Sequence, residues 1–103
     1  KPIAILEAGW ATIATEFGDR ASEANQARYY REIRQWANRT NTTVFFFEAF
    51  DEPWKGDPDN PLGAEKHWGL FNVDRTPKQA MKGTQAANYS VLGTALPIRE
   101  RGP

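Results

Sequence analysis

An α/β fold built on parallel strands is what this sequence predicts, and three observations predict it. Residues 3–6 and 44–47 (Ile3-Ala4-Ile5-Leu6 and Val44-Phe45-Phe46-Phe47) are short, unbroken apolar runs, the pattern of strands covered on both faces. Between them lies a stretch with helical spacing. After the second run comes another helix start, Thr76-Pro77-Lys78-Gln79. The order is βαβα.

Each element has its own signals. Ser22 can cap the first helix with Glu23 in its first turn, and Ala27, Tyr30, Ile33 and Ala37 recur at helical spacing, predicting a helix over 22–39. Tyr29, Tyr30 and Trp36 sit within it and pack it onto the strands. Residues 51–75 read as a long irregular connection, followed by a helix from Thr76, the N-cap, to about residue 87, weakened by Gly83. Residues 1–88 then form one domain portion, and 89–103, without a clear period, a peripheral extension. Two parallel strands alone leave open hydrogen-bonding edges. The simplest cover is the rest of a larger α/β domain, either a doubly wound sheet or a (β/α)8 barrel. The opening Lys1-Pro2 runs straight into a strand and reads as a cut inside a longer protein. Another copy of the chain could also cover an edge.

Composition narrows the function classes. The 103 residues carry 13 Lys+Arg against 13 Asp+Glu, so no basic field points to nucleic acid. No apolar run is long enough for membrane insertion, and no cysteine is present to build a disulfide framework or a thiolate metal site. His67 is the single histidine, so a metal site would rest wholly on carboxylates and none is expected. Asn38, Asn41 and Asn88 begin N-x-S/T triplets, which are glycan acceptors only in a eukaryotic secreted protein.

In either α/β architecture the functional face lies at the carboxyl ends of the strands. The first strand ends in Glu7-Ala8-Gly9-Trp10 and the second in Glu48-Ala49-Phe50-Asp51-Glu52-Pro53-Trp54-Lys55. Glu65 joins that rim if the long loop folds back. Carboxylates beside aromatic rings suit carbohydrate chemistry: glycosidic cleavage needs an acid and a base or nucleophile flanking the bond, and sugars pack on flat apolar rings. Glu7 reads equally as a reacting group and as a paired rim carboxylate. Glu48, after three phenylalanines, reads as a structural acid that must be paired or neutralised. Asp51 could cap the loop or touch substrate, and Glu52 with Lys55 could form an ion pair that orients the site. Trp10 and Trp54 follow strand ends, where rings line a cleft.

These residues resemble glycoside hydrolase family 17, the β-1,3-glucanases and glucan transglycosylases, over residues 1–82. Lys1-Pro2-Ile3-Ala4-Ile5-Leu6-Glu7-Ala8-Gly9-Trp10 looks like the family's nucleophile strand, and Ala24-Asn25-Gln26 with Tyr29 like the helix after it. Phe46-Phe47-Glu48-Ala49-Phe50-Asp51-Glu52-Pro53-Trp54-Lys55, continuing to Glu65-Lys66-His67-Trp68-Gly69-Leu70-Phe71, is similar to the last-strand signature of bacterial and fungal members. The resemblance implies the last two strand–helix units of a (β/α)8 TIM barrel and a retaining glycosidase or transglycosylase on β-1,3-glucan, which needs no organic cofactor. Glu7 would be its nucleophile, Glu52, Lys55 and Glu65 would support it, and Trp10 and Trp54 would line the glucan cleft. It also implies an acid/base glutamate on an earlier strand, so that these residues alone would be inactive, and a secreted, periplasmic or cell-surface setting. Ala8, where Thr is common, and Ala11-Thr12, where Pro-Ser is frequent, depart from the pattern and bear on contacts around the nucleophile.

Overall fold

The two apolar runs form adjacent strands in the computed structural model, which describes residues 3–82 and 95–98. β1 (Ile3–Ala8) and β2 (Thr42–Phe47) pair in parallel, with Ile3 opposite Thr42 and Ile5 opposite Val44. Ala8 then pairs with Phe46, so β1 carries an extra residue between its paired positions. A bulge of this kind bends the strand and re-aims nearby side chains. It falls at residues 6–7, immediately beside the candidate nucleophile.

The crossover is α1 (Glu23–Thr40). Its start is the expected one: the Ser22 hydroxyl accepts a hydrogen bond from the Asn25 N–H at 3.0 Å. It ends at Asn41, whose left-handed backbone (φ 53°) lets its N–H reach the carbonyls of Ala37 and Asn38. Tyr29 and Tyr30 pack on Phe46 with ring centroids 5.9 and 5.3 Å apart. Around them Ala37, Val44, Phe46, Ala49, Leu70, Phe71 and Met81 close the main core. β2 was expected to be covered on both faces. Within this chain Thr42, Val44 and Phe46 are buried beneath α1, while Thr43, Phe45 and Phe47 are half-buried on the face that no helix covers among the described residues.

Two later segments differ from expectation. Residues 95–98, read as part of an aperiodic extension, form β3 (Ala95–Ile98), antiparallel to β2 with Phe47 opposite Ala95 and Val44 opposite Ile98. Edge pairing, not local periodicity, sets this strand, and Pro97, which has no N–H to donate, is compatible with an outer position. The helix expected from Thr76 starts later, as a 3₁₀ turn over Gln79–Met81. Pro77 pairs with Phe71, and the Lys78 N–H donates to the Leu70 carbonyl at 3.0 Å, which keeps the chain extended there. The capping acceptor is Glu23 of α1, bonded to the Gln79 N–H at 2.9 Å, rather than Thr76. The remainder of that expected helix, from residue 83, lies outside the described residues. Among the described residues no helix is long and apolar enough to cross a membrane.

Candidate active site

Local packing explains why the strand ends form a rim. The segment 68–71 returns beside 48–51: the Glu48 N–H donates to the Trp68 carbonyl (3.1 Å) and the Leu70 N–H to the Glu48 carbonyl (2.8 Å). Gly69 is required by this approach, because a Cβ there would stand 2.3 Å from the Asp51 backbone nitrogen. The loop after β1 is fastened to the same region, with the Thr12 N–H on the His67 carbonyl and the Thr15 N–H on the Leu62 carbonyl, both at 3.0 Å. Gln26 of α1, wholly buried, donates to the carbonyls of Trp10 and Gly69 at 3.0 and 2.9 Å. The long connection 51–75 is therefore an ordered, hydrogen-bonded loop.

Ala8 packs against the core beneath α1, while Glu7, within the bulge just before it, is exposed at the end of β1. Lys55 lies by the end of β2: its ammonium sits 5.0 Å from the centre of the Phe47 ring. Lys55 Nζ pairs with Glu52 Oε1 at 3.1 Å and approaches Glu48 Oε1 at 3.9 Å. Because β1 and β2 run in parallel, Glu7 and the Glu48–Glu52–Lys55 group follow the same, carboxyl-terminal end of the sheet. Glu65 is exposed, with its Cβ beside Gly56, and its charge favours the Lys55 ammonium.

The electrostatics of this group are uneven. Burial pushes the Glu48 carboxyl up to about 8, and its contact with Glu52 and the Glu52 charge add to the rise, against the pull of Lys55. Glu52 moves the other way: the hydrogen bond from Glu48 lowers it, burial opposes, and Lys55 lowers it further. Burial works against the Lys55 ammonium, but the hydrogen bond to Glu52 and the charges of Glu48, Glu52 and Glu65 hold its pKa above the ordinary value.

Asp51 sits in a network of its own. Its carboxylate is buried, and Oδ1 accepts from Lys78 Nζ at 2.7 Å and from the Gly69 N–H at 2.9 Å. Lys78 also donates to the Thr12 hydroxyl at 2.8 Å. His67 donates through Nε2 to the Pro61 carbonyl at 2.8 Å and stands 3.7 Å from Asp51 Oδ2. Sequence reasoning missed Lys78 and Thr12, because neither carries a local signal for a partner so distant along the chain. The two tryptophans also separate. Trp54 is 72% exposed on the rim. Trp10 is half-buried, its ring 5.3 Å from Tyr29 and its N–H on the Arg20 carbonyl at 2.9 Å. Together with Phe17, Arg20 and Trp68 it lines a cavity of about 240 Å³. None of the candidate carboxylates lines that hollow. Among the described residues no group of three or more His, Asp or Glu side chains is arranged to hold a metal ion.

Residues 2–82 match the glycosyl hydrolases family 17. A glucan 1,3-beta-glucosidase of Arthroderma benhamiae is 40% identical over 82 residues, covering 74% of this chain and 26% of that protein. One from Candida albicans is 35% identical over 80 residues, covering 73% and 25%. The chain spans about a quarter of the length of these curated relatives. Among solved structures, an endo-laminarinase from Formosa Hel1_33_131 superposes with a TM-score of 0.68 at 42% identity, over 74% of this chain and 20% of that one. A family 17 beta-1,3-glucanosyltransferase from Rhizomucor miehei superposes with a TM-score of 0.64 at 32% identity, over 78% and 28%. With this family match over most of its length and two family-like folds at such identity, the chain belongs to glycosyl hydrolase family 17.

Proposed function

We propose that the chain supplies the nucleophile side of an enzyme acting on β-1,3-glucan, as the last two strand–helix units of a (β/α)8 barrel. Glu7 attacks the anomeric carbon and carries the glucosyl group as a covalent intermediate, and water or an acceptor sugar then releases it. The observation that supports this reading is the parallel pairing of β1 and β2: Glu7 stands exposed at the carboxyl end of one strand, and Glu48, Glu52 and Lys55 follow the carboxyl end of the other. Glu52 and Lys55 hold the local charge, and Glu65 supports Lys55. Exposed Trp54 offers the stacking surface for a sugar ring. Trp10 shapes the cleft from behind through its packing on Tyr29, and Asp51 ties the rim loops together rather than touching glucan.

A retaining mechanism needs a second carboxyl about 5 Å from the nucleophile to act as acid and then base. Glu48 and Glu52 are buried against each other and Lys55, and so are poorly placed for a leaving group. The acid/base therefore comes from outside these residues, and the remainder of the barrel is the partner that completes the site. A polymeric glucan is met outside the cytoplasm, which carries a secreted, periplasmic or cell-surface location with it.

The test is Glu7→Gln in the full-length protein, assayed on laminari-oligosaccharides. Turnover should fall by more than about 10³-fold with oligosaccharide affinity retained, and the 103 residues expressed alone should show no turnover. Near-normal activity of the variant would remove Glu7 from its role. Products longer than the substrate would distinguish transfer from hydrolysis. Binding without turnover in the unaltered full-length protein would point instead to a non-catalytic glucan-binding role.

A further inference from the structure

Glu48 is a buried acid that the proposed mechanism does not use. It is completely shielded, and among the described residues neither of its oxygens accepts a hydrogen bond from an N–H or O–H donor. Lys55, the nearest cation, is 3.9 Å away, beyond hydrogen-bond distance, and is committed to Glu52 Oε1 at 3.1 Å. The second oxygen of Glu52, Oε2, is also buried and without a donor. Among the described residues, two carboxyl groups bonded to each other thus leave three buried oxygens without an N–H or O–H donor beside the one ammonium of Lys55. Leaving both acids ionised there is unfavourable, whereas a single proton between them satisfies both.

We infer that Glu48 is a positioning residue that shares one proton with Glu52, so that Glu48, Glu52 and Lys55 together carry no net charge beside the exposed carboxylate of Glu7. Glu48 donates, Glu52 accepts on the oxygen that Lys55 leaves free, and the ammonium holds the other. The remaining charged groups nearby are arranged consistently. Asp51 adds negative charge but is neutralised by Lys78, on which Glu23 of α1 also acts. Glu7 is the titratable group that β1 brings to the same end of the sheet. Loss of the shared proton would place a second negative charge behind the nucleophile, so alkaline pH acts on this site through Glu48 as well as through the acid/base group. The inference deepens the proposed site and rests on it for its catalytic consequence, but the proton itself can be observed without turnover.

Infrared spectroscopy of the full-length protein, with 13C-labelled glutamate to assign the bands, reads the protonated carboxyl directly. A protonated glutamic acid should persist at neutral pH and titrate near the value of about 8 that burial and Glu52 impose. Glu48→Gln should remove that band. Glu52→Gln, which takes away the neighbouring charge, should move the titration to lower pH, and Lys55→Met should move it higher. Absence of a protonated glutamic acid at neutral pH, its survival in Glu48→Gln, or indifference to Glu52→Gln would each overturn the shared proton. A protein that showed the band yet lacked glucan turnover would overturn the proposed activity and leave the proton pair standing.

Discussion

Asp51 and Glu52 are neighbours in the chain, yet they belong to two ionic clusters built on opposite terms. Around Asp51 each buried charge has its match: Lys78 bonds to the carboxylate and to Thr12, and the Gly69 N–H supplies another donor. Around Glu52 two acids face one base, and three oxygens lack an N–H or O–H donor. The first cluster is closed and joins the loop after β1, the loop after β2 and the segment leading to the last 3₁₀ turn. The second is under-compensated and follows the end of β2, the strand beside that of Glu7. Folding alone selects for the first kind of arrangement, whereas an unmatched buried carboxyl is tolerated where its protonation state is useful.

Removing each cation tests that contrast most severely. Lys78→Met takes the lysine partner away from the buried Asp51 carboxyl group, a loss of about 3–5 kcal/mol when one partner of a buried pair is deleted. Lys55 is about one-third exposed, and its loss can be answered by Glu52 holding more of the shared proton. Its substitution by Met should therefore cost clearly less stability while changing activity more. Urea unfolding of the two variants in the full-length protein checks the order. Equal losses would erase the distinction between a closed and an open cluster.

A subtler effect is the dependence of stability on pH. Glu48 has a folded pKa of about 8 against an ordinary 4.5, so the folded state holds a proton that the unfolded chain has released between those values. Its contribution is complete below about 4.5 and is lost as pH rises through about 8. Glu52, lowered in the folded state, contributes above its ordinary value of 4.5 and loses that contribution as pH falls through the folded pKa. Glu48→Gln removes the first effect and keeps the second. Melting temperatures of variant and parent should therefore diverge in the variant's favour from about pH 5 to about pH 8 and then run parallel. A constant difference across that range would mean that Glu48 does not titrate as the open cluster requires.

How much of this was legible in the sequence depends on the range of the interaction. The strands, the Ser22 cap and the end of α1 follow from local patterns, and the structure reproduces them within a few residues. The demand that Glu48 be paired or neutralised was legible as well, because three phenylalanines precede it. Which residue answers that demand was not, since the competition between Glu48 and Glu52 for Lys55 depends on how the loop turns. Lys78 lies 27 positions from Asp51, and nothing in Thr76-Pro77-Lys78-Gln79 distinguishes a buried lysine from a solvated one in a first helical turn. The same contact explains why the expected helix starts late: a chain held extended by Pro77 and Lys78 cannot also begin a helix there. β3 was hidden for a related reason, because an edge strand is specified by the edge it joins.

The smallest effect on stability should come from Trp54, and that is what makes it informative. At 72% exposure its ring buries little apolar surface, and a surface substitution of this kind changes stability by no more than about 0.5 kcal/mol. If its place beside Glu52 and Lys55 serves a sugar ring, Trp54→Ala removes a stacking contact worth about 0.5–1.5 kcal/mol. Laminari-oligosaccharide affinity, measured by calorimetry on the Glu7→Gln background so that no turnover intervenes, should then weaken roughly 2- to 12-fold. Trp10 serves as the internal control, because its ring is held by Tyr29 and the Arg20 carbonyl, and its replacement should destabilise the fold before it reports on ligand. Unchanged affinity in Trp54→Ala would place the glucan along another part of the rim, with the cavity between Trp10, Phe17 and Trp68 as the next surface to probe.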